Sequence, residues 1–359
     1  MGIMTMVLLI IGLVLIVAGA EVLVRGASQL AAMLGISPLV IGLTVVAYGT
    51  SAPEMAVSIQ AAFSNYEAIS IGNIVGSNIF NVLFILGLSA AITPLFVAQQ
   101  LIKLDVPIMI GVSLLLMVLA LDQEINRIDG IILFAGAVLY TGFLFYQNLN
   151  GNASAVDDDN CDALSRTPPS LKAWCVNLFL IGSGILLLTL GSRWLVAGAV
   201  AIATAIGVSQ LVIGLTLIAL GTSLPEAATS VIASLRGERD IAVGNVIGSN
   251  IFNILAVLGV AGFLAPNGVN VSPAAINFDI PVMVVVAIAC LPIFFTGNII
   301  RRWEGALFLA YYAAYTTYLF LDAINHDSLP FFSRVLVTFV IPLTVVTFVT
   351  ITLRYRRQS

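Results

Sequence analysis

Long apolar runs alternate with short polar punctuation along almost the whole chain. The windows 4–33, 38–64, 68–92, 104–121, 127–147, 172–205, 211–236, 240–263, 278–298, 302–322 and 331–353 each read as one helix. A bilayer core takes ~20 apolar helical residues to cross, so each window predicts a span. The two longest, 4–33 and 172–205, must tilt or protrude from the bilayer. Between the fifth and sixth windows the pattern breaks. Gln147 to Ser170 contains Asp157-Asp158-Asp159 and Pro168-Pro169 and reads as a solvated linker.

Composition identifies the solvent. Of the 359 residues, 60% are hydrophobic and only 9% charged, against about a quarter charged in a soluble domain. No water-soluble fold could cover that much apolar surface. Placement of Lys and Arg then sets orientation. With the N-terminus outside, Lys103, Arg166, Lys172, Arg236, Arg239, Arg301, Arg302, Arg354, Arg356 and Arg357 all fall inside, against Arg127 and Arg334 outside. The expectation is N-out and C-in, in a cell membrane of the bacterial inner-membrane type. Ala18-Gly19-Ala20 looks like a signal-peptide cleavage site, but the basic n-region of such peptides is missing. Asn152-Ala153-Ser154 fits a glycosylation sequon, which a cytoplasmic linker would leave idle.

The chemistry of enzymes is thinly represented. Cys161, Cys175 and Cys290 lack metal or redox spacing, and His326 is the single histidine. No nucleophile has an intramembrane histidine to activate it. A transporter is therefore expected rather than an enzyme, with no cofactor and no nucleic-acid partner; a passive channel is the weaker transport reading.

The chain repeats itself. Gly42-Leu-Thr-Val-Val-Ala-Tyr-Gly-Thr-Ser-Ala-Pro-Glu54 returns 172 residues later as Gly214-Leu-Thr-Leu-Ile-Ala-Leu-Gly-Thr-Ser-Leu-Pro-Glu226. Gly72-Asn-Ile-Val-Gly-Ser-Asn-Ile-Phe-Asn81 returns at the same offset as Gly244-Asn-Val-Ile-Gly-Ser-Asn-Ile-Phe-Asn253. Asp105-Val-Pro107 matches Asp279-Ile-Pro281 after a two-residue insertion. Each unit holds five windows, and an odd number inserts the second unit upside down. The expected fold is an all-α polytopic membrane protein with two inverted five-helix repeats (1–147 and 171–322), a cytoplasmic acidic linker (148–170) and an eleventh transmembrane helix (328–355). Inverted repeats mark secondary transporters, whose sites lie near the midplane where interrupted helices meet.

The repeated residues are polar ones at lipid depth. An ionisable group there costs at least ~2.5–3.5 kcal/mol, which makes Glu54 and Glu226 functional candidates. Each follows a proline, Pro53 or Pro225, which cannot donate to the carbonyl four residues earlier. The helix should break near Gly49 and Gly221, exposing backbone oxygen beside Thr50, Ser51, Thr222 and Ser223. Asn73, Ser77 and Asn81 fall on one helical stripe, as do Asn245, Ser249 and Asn253. Ser77, Asn81, Ser249 and Asn253 read as ligands; Asn73, Asn78, Asn245 and Asn250 read equally well as interhelical glue. Carboxylates, hydroxyls and amide oxygens without sulfur or imidazole suit Ca²⁺ better than Mg²⁺. Two carboxylates balance one Ca²⁺ or two Na⁺, so the ions can compete for one cavity. Glu21 and Arg25 are spaced to pair along the first helix.

The doubled G-T-S-x-P-E and G-N-x-x-G-S-N-I-F-N segments resemble the α-repeats of the Ca²⁺/cation antiporter superfamily, nearest its bacterial and archaeal Na⁺/Ca²⁺ exchanger-like branch. The resemblance implies a Ca²⁺ site at Glu54, Glu226, Thr50 and Thr222. Ser51, Ser77, Asn81, Ser223, Ser249 and Asn253, with carbonyls near Ala47 and Ala219, would complete Na⁺ sites. It also implies alternating access by sliding of the first helix of each repeat. Some relatives, K⁺-dependent ones among them, carry Asp where this chain has Asn81 or Asn253, which argues against K⁺ coupling. A Ca²⁺/H⁺ antiporter with the two glutamates as proton carriers is the alternative. The eleventh helix is expected to serve peripheral packing or a homodimer contact.

Overall fold

The computed structural model describes residues 3–63, 67–150, 170–205, 219–295, 297–324, 326, 328–336, 338 and 342. Among these, seven helices are long and apolar enough to cross a membrane: α1 (Thr5–Leu34), α4 (Ser70–Ile92), α5 (Leu101–Asp122), α6 (Arg127–Gln147), α7 (Leu171–Thr204), α9 (Arg239–Leu264) and α10 (Ala275–Phe294). An eighth span is broken. Its halves, α2 (Pro38–Thr50) and α3 (Ala52–Phe63), meet at 46°. The window at 211–236 begins outside the described residues and continues as a short piece of helix at Ala219–Gly221, a turn at 222–223 and α8 (Leu224–Arg236). The window at 302–322 is a single helix, α11 (Arg302–Ala323). Of the expected eleventh helix, α12 (Leu329–Val335) is described, and the rest lies outside the described residues, as does 151–169 of the linker.

Two halves interlock through glycine. A Cβ on Gly87 of α4 would sit 3.0 Å from the Gly305 carbonyl oxygen of α11, and one on Gly130 of α6 would sit 2.8 Å from that of Gly259 in α9. The third helix of each half thus packs, backbone to backbone, on the fifth helix of the other. Two short antiparallel strand pairs repeat the exchange: Leu95–Phe96 with Ile299–Ile300, and Glu124–Ile125 with Val269–Asn270. They add a small β component that hydropathy windows do not reveal. The main apolar core runs through α4, α5, α6, α9 and α10.

α1 and α7 pack on each other in a second apolar cluster, with Ile16, Leu23, Leu30, Ile181 and Leu188 joined by Ile41 and Val46 of α2, Ala233 of α8 and Ile241 of α9. They run antiparallel. A Cβ on Gly12 would meet the Leu195 nitrogen at 2.6 Å, on Gly19 the Leu188 nitrogen at 2.8 Å, and on Gly191 the Ile16 nitrogen at 2.8 Å. Small residues let helix backbones approach this closely, which is how helices associate without a hydrophobic driving force. Polar contacts tie α1 to α8 and the residues just after it. Glu21 bonds to Arg236 at the end of α8, with Arg236 Nε 2.9 Å from Glu21 Oε2, and Ser28 Oγ donates to Glu238 at 2.7 Å. The expected Glu21–Arg25 pairing is thereby corrected: tertiary packing brings a second cation to Glu21 from across the fold.

Candidate cation site

In both motifs the chain leaves helical geometry at the serine of G-T-S-x-P-E. Ser51 has φ −80° and ψ 9°, and Ser223 has φ −88° and ψ 8°. The proline two residues on supplies no N–H, so the chain turns there and restarts as a helix with the glutamate in its first turn. The bend presents the carboxylate of one half to the serine of the other. Ser51 Oγ donates to Glu226 Oε1 at 2.9 Å, and Ser223 Oγ donates to Glu54 Oε1 at 2.9 Å. Ser223 and Ser77 hydroxyls are also 2.9 Å apart. All of these side chains are buried, the two glutamates at 0% and 1% exposure.

A second pair of reciprocal bonds braces the bends. Asn73 Nδ2 donates to the Glu54 carbonyl at 3.4 Å and to Ser58 Oγ at 3.1 Å; Asn245 Nδ2 donates to the Glu226 carbonyl at 3.3 Å and to Ser230 Oγ at 2.9 Å. Their oxygens accept from the opposite half, Thr222 Oγ1 at 3.2 Å and Thr50 Oγ1 at 3.1 Å. Asn73 and Asn245 therefore act as struts across the centre. Asn81 and Asn253 each begin a π-helical turn, 81–86 and 253–258. Such wide turns recur at functional sites.

Several buried polar atoms here have no protein partner: Glu54 Oε2, Glu226 Oε2, both amide atoms of Asn81, Ser249 Oγ and Asn253 Oδ1. An unmade buried bond costs about 1–3 kcal/mol, and native proteins keep few of them. They fall on the residues that repetition singles out, and five of the six are oxygens. The Ala47 carbonyl differs, already accepting from the Ser51 nitrogen at 3.0 Å. Ala219 opens the short piece of helix before Thr222. Among the described residues no three His, Cys, Asp or Glu side chains gather as a metal cluster, so the donor set is hydroxyl and amide oxygen around two carboxylates.

Sequence reasoning missed three contributors. Ser58 and Ser230 stand at the same 172-residue offset, so a longer repeat alignment would have found them. Ser192 of α7 donates to the Gly221 carbonyl, one of the two that the prolines leave open. Its counterpart in the first half is Ala20, so no repetition signalled it.

Helix breaks from two halves, meeting at a buried centre of oxygen donors, are the arrangement expected of a membrane transporter. The particular family follows from comparison. The chain belongs to the sodium/calcium exchanger protein family, which matches residues 4–146 and 176–321. Among its relatives, the sodium/calcium exchanger MaX1 of Methanosarcina acetivorans is 34% identical over 343 residues, spanning 87% of this chain and 97% of that protein. The inner membrane protein YrbG of Escherichia coli is 38% identical over 281 residues, or 78% of this chain and 86% of that one. The solved structure of the sodium-calcium exchanger NCX_Mj superposes with a TM-score of 0.74 at 32% identity, covering 87% and 97% of the two chains. This protein is a multi-pass membrane protein of the cation/Ca²⁺ antiport type.

Proposed function

We propose that the protein exchanges Ca²⁺ for Na⁺ by alternating access, with the ions held between the two G-T-S-x-P-E bends. The observation that carries this reading is the set of buried, unpartnered oxygens on Glu54, Glu226, Asn81, Ser249 and Asn253. Oxygens left without a proton donor are what a dehydrated hard cation needs, and Ca²⁺ takes six to eight of them in flexible geometry. Glu54 and Glu226, with Thr50 and Thr222, serve Ca²⁺. Ser51, Ser77, Asn81, Ser223, Ser249, Asn253 and the Ala219 carbonyl serve Na⁺. The Ala47 carbonyl, which accepts from the Ser51 nitrogen, keeps its second lone pair for Na⁺.

One Ca²⁺ balances the two carboxylates. Two Na⁺ would do the same, and a third Na⁺, held by neutral oxygens, makes the exchange electrogenic. Purified protein in liposomes tests the reading by ⁴⁵Ca²⁺ uptake under an imposed Na⁺, K⁺ or H⁺ gradient, with the membrane potential clamped. Outward Na⁺ gradients should drive uptake, K⁺ should be neither needed nor carried, and uptake should fall with inside-negative potential; one charge across 100 mV is worth about 2.3 kcal/mol. That sign follows from the count, since three Na⁺ leaving for one Ca²⁺ entering carries one net positive charge outward, so inside-positive potential drives the cycle and inside-negative potential retards it; the measured direction therefore has to be retardation on the inside-negative side. Uptake driven by H⁺ alone would favour the proton-coupled alternative, and flux without any counter-ion would favour a channel.

A further inference from the structure

Asn78 stands one residue beyond Ser77, and its side-chain bonds run to the other half rather than to the carboxylates. Its Nδ2 donates to the backbone carbonyl of Asn250 at 3.2 Å and to Met283 Sδ at 3.6 Å. A backbone carbonyl can only accept, so the Asn78 atom facing it must be the nitrogen. The Asn78 oxygen is then fixed at the other end of the amide, where it accepts from Asn253 Nδ2 at 3.0 Å. That bond in turn leaves Asn253 Oδ1 as the free atom, buried and without a protein partner. One main-chain carbonyl thus dictates, through two side-chain amides, which end of Asn253 is left over.

The other half lacks this chain. Asn250 Nδ2 donates to Met109 Sδ at 3.6 Å, mirroring Asn78 on Met283, but Asn250 Oδ1 and both amide atoms of Asn81 have no partner. Two amides that the sequence repeats identically are therefore held differently.

We propose that Asn78 is a positioning residue that presets Asn253 as an oxygen ligand for a monovalent cation, while Asn81 is left free to turn its amide. The proposal rests on the oxygen-lined site assigned above. A reversed Asn253 amide would aim N–H donors at the cation and oppose its oxygen to that of Asn78, so the network removes the non-binding orientation before an ion arrives. It makes the two halves of the site chemically unequal.

Cation-dependent thermal stabilisation of the purified full chain in detergent tests this, because a bound ion raises the melting temperature with its concentration over Kd. Asn78→Leu, Asn253→Leu, the double variant and Asn250→Leu are titrated with Na⁺, K⁺ and Ca²⁺. Loss of one buried amide contact predicts that Asn78→Leu raises half-saturating Na⁺ about tenfold, and Ca²⁺ much less. Residues acting as one unit are non-additive, so the double variant should match Asn253→Leu. Asn250→Leu, which removes a similar buried amide without freeing Asn253, should stay near wild type. If Asn78→Leu does not yield folded protein, Asn78→Ser, too short to bridge, replaces it. An unshifted Na⁺ dependence in the Asn78 variant, multiplying effects in the double variant, an equal shift in Asn250→Leu, or no cation stabilisation of the wild type would each overturn the proposal. A non-additive cycle with no Na⁺-driven Ca²⁺ uptake in liposomes would retire the exchange reading alone.

Discussion

At the scale of single residues, the bonds between halves have a consequence for charge. Each carboxylate has one oxygen committed to a serine of the opposite repeat and one oxygen without a partner. A divalent ion placed between them would complete both. Glu54→Gln and Glu226→Gln each keep the shape and the serine contact but remove one charge. Breaking a buried charge pair from one side costs about 3–5 kcal/mol, so each variant should lose Ca²⁺ uptake by a hundredfold or more while still inserting and purifying. Uptake assays paired with size-exclusion profiles check this. Near-normal uptake by both single variants would sink the site assignment.

Elements carry the second kind of constraint. The α1–α7 pair is bound internally by glycine contacts to backbone atoms, whereas at the motif glycines it meets the neighbouring helices through side chains: Ile185, Val196 and the Ser192 hydroxyl on the Gly221 carbonyl. A Cβ on Gly49 would strike Ile185 Cδ1 at 2.4 Å, and one on Gly221 would strike Val196 Cγ2 at 2.6 Å. Side-chain tips can move aside; backbone cannot. The geometry suits two helices that travel together, as the family resemblance implies, over a surface that yields. Gly191→Val tests the internal seam, because its new carbons meet the Ile16 nitrogen and the Gly12 carbonyl, each 2.8 Å from a Cβ. Overpacking of this kind costs about 1–3 kcal/mol, and a lowered melting temperature with reduced transport should result. A fully stable Gly191→Val protein would show that the two helices do not need their close approach.

For the molecule as a whole, the interlocked halves make orientation an all-or-none property. Each half contributes helices that pack on the other, so one half cannot insert with the wrong sense without losing the Gly87–Gly305 and Gly130–Gly259 contacts. The Lys and Arg distribution predicts a single topology, in which residue 159 and the chain after Arg354 should lie inside and residues near 325 outside. Single cysteines at these positions, in a cysteine-free background, should react with a membrane-impermeant reagent on the matching side only. Labelling of the tail from outside intact cells would refute the eleven-span, N-out arrangement.

Hydropathy located the seven long apolar helices and the broken eighth, because a helix that must satisfy its own backbone in lipid has to be apolar over a bilayer's thickness. Repetition pointed to Glu54, Glu226 and their serine and asparagine neighbours, because buried polar side chains at lipid depth are too costly to appear twice in register without a use. Pro53 and Pro225 located the bends, because the missing N–H is a local property. What no local rule contains is which half partners which. The crossing of Ser51 to Glu226 and of Ser223 to Glu54, the Glu21–Arg236 contact, Ser192 on the Gly221 carbonyl and the relay from Asn250 through Asn78 to Asn253 all join residues 29 to 215 positions apart. Hydrogen bonds over such separations depend on how the helices pack. Two sequence repeats that read alike became unequal only when folding gave each asparagine a different neighbour.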